Sequence, residues 1–152
     1  RVPETTSFFD RHAIAARQSQ TSMTADTLNV VILGASPKAN RYSHRAQQML
    51  TDSGFQTIPV SLSGASILGQ RGYRSVADVP QSLRPVHTVT VYLNPTRLAD
   101  VADDIVALQP DRVIFNPGSE SPEHAAVFQD AGIRVVEACT LVLLSVGQFE
   151  TA

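Results

Sequence analysis

Leu28-Asn29-Val30-Val31-Ile32-Leu33-Gly34-Ala35-Ser36-Pro37-Lys38-Ala39-Asn40-Arg41-Tyr42-Ser43 decides how the rest of the chain is read. Its first six residues are almost wholly apolar and rich in β-branched side chains, the pattern of a strand buried on both faces of a parallel sheet. Gly34 ends that run. From Ser43 to Ser53 the residues Ala46, Met49, Leu50 and Ser53 recur at helical spacing, and Gly54 supplies a C-terminal stop. The segment is therefore a strand, a short loop and a helix.

The same unit recurs along the chain. Phe55 to Val60 reads as a second strand, and Ser61 to Pro85 as mostly loop with a short helical piece near Ser75 to Val79. Val86 to Leu93 is a third strand, closed by Asn94-Pro95. Leu98, Val101, Ala102, Ile105 and Leu108 mark one helix with an apolar face. Arg112 to Phe115 is a fourth strand running into Asn116-Pro117-Gly118. Ser121 caps a helix with Pro122 and Glu123 in its first turn, ending at Gly132. Ile133 to Val136 is the last strand, followed by a helical tail from Thr140. Strands alternating with helices predict an α/β fold: one Rossmann-like, doubly wound domain of about five parallel strands.

Length and composition agree with one domain. The 152 residues, 43% hydrophobic and 17% charged, suit a single globular core. A net charge of −2 argues against a broad nucleic-acid or anionic-membrane surface. The longest apolar run near the end, Leu141 to Val146, is far shorter than a membrane span. The lone Cys139 cannot form an internal disulfide, which makes the cytoplasm the expected compartment. Arg1 to Ser22 reads as a flexible extension or leader, with the domain occupying residues 23–152 and Met23 as the expected functional start. Phe8, Phe9, Ile14 and Ala15 with Arg11 and Arg17 could form a targeting helix, but Glu4 and Asp10 oppose that reading.

In such a sheet ligands bind beyond the carboxyl ends of the strands. The loop Gly34-Ala35-Ser36-Pro37-Lys38 leads into a helix, so backbone N–H groups and the helix dipole can meet a phosphate there. Lys38, Arg41 and Arg45, with His44 between, crowd the positive end of that helix. Cations there are unfavourable by about 0.3 to 1 kcal/mol each unless an anion binds. A nicotinamide site calls for Asp or Glu after the second strand; Pro59-Val60-Ser61-Leu62-Ser63 offers none. His12, His44, His87 and His124 have no metal-ligand spacing, and no metal is expected. His87 is read as an ordinary sheet residue and His124 as solvent-exposed. Ser36 and Ser43 sit in no nucleophile elbow and are read as phosphate donors. Cys139 is read as structural, the alternative being a nucleophile.

Taken together, GASPKANRYS, the pieces at Ile67 to Gly69 and Gly72-Tyr73, SVADVP at Ser75 to Pro80, VYLNP, IFNPGSESPE, AGIRVVEAC and SVGQF resemble the small stand-alone CoA-binding proteins of Rossmann-like fold. These are similar to the nucleotide-binding domain of the succinyl-CoA ligase α chain. The resemblance spans Leu28 to Phe149. It implies coenzyme A or an acyl-CoA as ligand, with its pyrophosphate on Gly34 to Lys38 and with Arg41, Tyr42 and Ser43 alongside. The adenosine would lie near Val60, Ser61, Asn94 and Pro95, and pantetheine would run toward Asn116, Pro117 and Gly118. Many relatives carry Asn-Pro after the second strand, where this chain has Ser61-Leu62-Ser63. The expectation is a non-catalytic binding, sensing or accessory module, monomeric, homodimeric or with a protein partner. The alternatives are an enzyme handling acyl-CoA or CoA redox chemistry through Cys139, and an NADP- or FAD-binding protein using Arg41 or Arg71 for the extra phosphate.

Overall fold

A computed structural model describes residues 27–152; the expected extension and the Met23 start lie outside the described residues. Five strands form one parallel sheet: β1 (Asn29–Leu33), β2 (Gln56–Val60), β3 (Thr88–Val91), β4 (Arg112–Phe115) and β5 (Arg134–Glu137). Their order is β2-β1-β3-β4-β5. The helices are α1 (Tyr42–Asp52), α2 (Pro95–Ala99), α3 (Ala102–Leu108), α4 (Pro122–Asp130) and α5 (Thr140–Ser145). The predicted doubly wound α/β architecture is what the chain adopts.

The register follows from burial. β1 pairs on one side from Asn29↔Gln56 to Leu33↔Val60 and on the other from Val30↔Thr88 to Leu33↔Val91, so it is central. Its side chains alternate between two cores. Val31 and Leu33 join Ile58, Val89, Val91, Val113 and Phe115 on the face covered by Leu98, Ile105 and Phe128. Val30 and Ile32 join Ile114 on the face covered by Leu50 of α1, Leu143 of α5, and Phe149. Pro59 is tolerated because β2 is an edge strand: its carbonyl accepts from Tyr73 N–H (3.0 Å) on the outer side. The N–H that proline lacks falls on that side, away from β1.

One expectation about the middle of the chain is corrected and another extended. The apolar stripe from Leu98 to Leu108 belongs to two helices, because Val101 leaves helical geometry (φ −122°, ψ 2°) between α2 and α3. Leu98 before the break and Ala102, Ile105 and Leu108 after it are all buried, so their periodicity hides it. In the loop from Ser61 to Pro85 the expected helical piece is the 3-10 turn Val76–Asp78, and a second, unexpected one follows at Gln81–Leu83. Among the described residues no helix is long and apolar enough to cross a membrane. No cluster of three or more His, Cys, Asp or Glu among them could hold a metal.

At the amino end of the sheet the Arg112 side chain is fully buried (0% exposed). Its Nε donates to Thr88 Oγ1 (3.0 Å), and its guanidinium donates to the carbonyls of Phe149 (2.5 Å) and Ala152 (2.9 Å) while lying 4.5 Å from the Phe149 ring centroid. Arg134 donates to the same Ala152 carbonyl (2.6 Å). Burial, then the neighbouring Arg134 charge, pushes the Arg112 pKa down to about 10, so the group stays charged at neutral pH.

Candidate functional site

Strand order reverses between β1 and β3, and the loops leaving them depart to opposite faces, opening a crevice at the carboxyl ends. A cavity of about 660 Å³ occupies that crevice. Gly34, Ala35 and Ser36 form its floor after β1, and Arg41, Tyr42 and Ser43 stand at the start of α1. Ser61 to Ser63 wall it after β2, Tyr92 to Asn94 with Arg97 after β3, and Pro117 to Ser119 after β4. Two guanidinium groups and no carboxylate line it. Glu120, next in sequence to the lining residue Ser119, accepts from Gly118 N–H (2.8 Å).

The loop is held in place by its neighbours. Gly34 and Ala35 N–H both donate to the Val60 carbonyl (2.9 and 3.1 Å). Gly34 has a φ of +92°, and a Cβ there would meet Leu93 Cδ2 at 3.0 Å and the Tyr92 backbone at 3.1 Å. Glycine is thus required twice over, by conformation and by space. Ser36 Oγ accepts from Lys38 N–H (3.1 Å), and His44 Nδ1 donates to the Ser36 carbonyl (3.0 Å), tying the loop to α1.

The helix ends around the cavity differ in their caps. Asn94 caps α2 by accepting from Arg97 N–H (2.9 Å). Ser121 caps α4 by accepting from His124 N–H (3.3 Å). The α1 N-cap is Arg41, with no side-chain capping bond and no acidic residue in the first turn. Its first-turn N–H groups and the dipole therefore open on the cavity uncompensated. The guanidiniums of Arg41 and Arg97 have no hydrogen-bond partner among the described residues. An anion bound between them would find charge, hydrogen-bond donors and a glycine floor that lets it approach the backbone.

The structure brings Gly34, Ala35, Ser36, Arg41, Tyr42, Ser43, Ser61, Asn94, Pro117 and Gly118 together around this cavity. Pro37, Lys38 and Pro95 lie outside its lining. Val60 is buried behind the loop with its carbonyl engaged. Asn116 is buried too: its amide donates to Thr90 Oγ1 (2.7 Å) and the Val91 carbonyl (3.0 Å), and Oδ1 accepts from Thr140 N–H (2.8 Å). It staples β3, β4 and α5 together. Arg97 and Tyr92 were not singled out by sequence. The available signal for Arg97 is the capping Asn94-Pro95 three residues before it, which fixes it in the first turn of a helix at the switch point.

Beside the main cavity lies a smaller one of about 240 Å³, lined by Tyr42, Tyr92, Asn116, Pro117, Cys139 and Leu141. The Tyr92 hydroxyl is buried without a partner in hydrogen-bond geometry. Burial pushes its pKa up to about 12, opposed by the nearby Thr90 and Thr140 hydroxyls. Cys139 is half-buried. His124 is not exposed as expected: it is 9% exposed, with Nδ1 2.7 Å from Ser121 Oγ. The ring folds back over the cap and lies tilted beside Phe128, ring centroids 6.5 Å apart, so this serine–histidine pair closes a helix end and lines neither cavity. His87 lies just ahead of β3, its Nδ1 2.8 Å from Thr88 Oγ1.

Known structures share this fold. An uncharacterized protein of known crystal structure is 38% identical, with a TM-score of 0.72 over 81% of this chain and 98% of that one. A Thermus thermophilus protein is 26% identical, with a TM-score of 0.73 over 87% of this chain and 98% of its own. The dinucleotide-forming acetyl-coenzyme A synthetase 1 of Candidatus Korarchaeum cryptofilum, in complex with phosphate and ADP, is 18% identical. It matches 72% of this chain with a TM-score of 0.62, and the match spans 25% of that enzyme, a likeness of fold. The family model described as the CoA binding domain covers residues 29–145, from the first residue of β1 to the last of α5. With the sheet, the glycine loop and the helix that follows it all inside that match, the chain belongs to the CoA binding domain family.

Proposed function

We propose that the protein binds coenzyme A or an acyl-CoA in the switch-point cavity and acts as a non-catalytic binding module. The observation that carries this reading is the pairing of the uncapped α1 N-terminus with two partnerless guanidiniums in a cavity free of carboxylates. The pyrophosphate rests on Gly34 to Ser36, receiving α1 N–H groups and Arg41. Arg97 on the opposite wall takes a second phosphate. The adenosine lies against Ser61, Leu62 and Asn94, where the exposed Leu62 (75%) offers an apolar surface.

The non-catalytic reading rests on what surrounds the candidate nucleophiles. The Ser36 hydroxyl closes its own loop, and the Ser121–His124 pair is buried away from the cavities. Cys139 has no basic side chain beside it in its cavity. Equilibrium titration of the full chain with CoA, NADP, FAD and ATP tests the ligand. CoA binding at least tenfold tighter than NADP or FAD supports the proposal, and the reverse order refutes it. Iodoacetamide kinetics test the role of Cys139: alkylation at the rate of a free thiol at pH 7 fits a module, and acceleration of tenfold or more fits an enzyme.

A further inference from the structure

We infer that the smaller cavity holds the acyl group of a CoA thioester, and that the ligand class is short, uncharged acyl-CoA. The inference rests on the proposed CoA site. Tyr42, Tyr92 and Pro117 line both cavities, so the two lie side by side. The far end of the smaller one is Cys139 and Leu141, just beyond β5. From β1 to β5 the sheet steps through β3 and β4, three strand spacings or about 14 Å. The pantetheine arm has about twelve backbone bonds from phosphate to sulfur, the equivalent of four extended residues, and spans about 14 Å. A pyrophosphate on the β1 loop thus delivers the sulfur to this cavity.

The lining selects the group. Two tyrosine rings, a proline, a leucine and a cysteine surround it, and its single amide, Asn116, has both nitrogen and oxygen hydrogen-bonded within the protein. No cation lines it. The one polar side-chain group there without a partner is the neutral Tyr92 hydroxyl, so a carboxylate-bearing acyl group would be desolvated with no cation to pair it, whereas an alkyl chain makes no polar demand. A volume of about 240 Å³ has room for a short acyl chain, and butyryl and hexanoyl groups bracket the size to be tested.

Each methylene buried on transfer from water raises affinity about fourfold. Calorimetric titration of the full chain under reductant with CoA, butyryl-CoA, hexanoyl-CoA and succinyl-CoA tests the inference. The expected result is butyryl- and hexanoyl-CoA binding at least tenfold tighter than CoA, with succinyl-CoA no tighter than CoA. Leu141→Phe should erase the acyl gain while keeping CoA affinity. Leu141→Ala, which does not depend on accommodating a larger ring, should shift the preference toward longer chains. Equal affinity for CoA and its alkyl thioesters, or a gain untouched by both variants, overturns the acyl pocket and leaves the CoA site standing. Absence of binding by every CoA species overturns both.

Discussion

At the amino end of the sheet, Arg112 and Arg134 aim their guanidiniums at the carbonyls of Phe149 and Ala152; at the carboxyl end, Arg41 and Arg97 face a cavity without a hydrogen-bond partner among the described residues. The residue type is the same and the sheet is the same. What differs is the local supply of acceptors: the C-terminal tail brings carbonyls to the first pair, while the loops leaving β1 and β3 bring mainly N–H groups and hydroxyls to the second. A charge met by backbone carbonyls, even with Arg112 Nη2 left unpartnered, holds the fold together, and one that meets no acceptor in a concave site is available to a ligand.

The contrast predicts opposite phenotypes. Arg112→Ala leaves a cavity and strands the carbonyls it served, so it should destabilise the fold by about 3 to 5 kcal/mol. Denaturant unfolding reads this directly, and CoA affinity of the folded fraction should be unchanged. Arg41→Asp should do the reverse. It gives α1 the acidic cap it lacks, stabilising the free protein by up to about 1 kcal/mol. The same change should weaken CoA binding more than tenfold, and a variant less stable than the parent would break the comparison.

The third effect is smaller. Ser121→Ala removes the α4 cap and should cost about 1 kcal/mol in denaturant unfolding, with CoA affinity intact. A concurrent loss of CoA affinity would make the Ser121–His124 pair part of the site after all.

The smallest effect concerns pH. Burial first, then the Arg112 charge, holds the His87 pKa below 6.5. The unfolded chain therefore takes up this proton before the folded one, and stability should fall as pH drops below 6.5 toward the depressed folded value. His87→Gln should flatten that part of the profile, and an unchanged slope between pH 7 and 5 would remove His87 as its source.

Much of this organisation is legible in the sequence where one segment carries the whole signal. Leu28 to Leu33, closed by Gly34 and followed by the periodic Ala46, Met49 and Leu50, fixes strand, loop and helix because the apolar pattern, turn residue and helix stop lie within one stretch. Arg97 is different: its relevance depends on β3 lying beside β1, which no local pattern states. The break at Val101 is hidden because the buried stripe continues through it. The burial of His124 depends on a ring folded back onto its own cap, and that of Arg112 on a tail arriving from Phe149 to Ala152. Asn116 looks like a loop residue at a strand end, and only the positions of Thr90 and Thr140 reveal that its amide is fully engaged.

The most direct test is calorimetric titration of CoA into the parent chain and into Arg41→Ala/Arg97→Ala, with thermal unfolding of each in parallel. Losing two charge-assisted contacts should weaken binding by about a hundredfold or more, with the unfolding temperature essentially unchanged. CoA binding that survives at parental affinity in a folded double variant would contradict the assignment of the switch-point cavity as the CoA site.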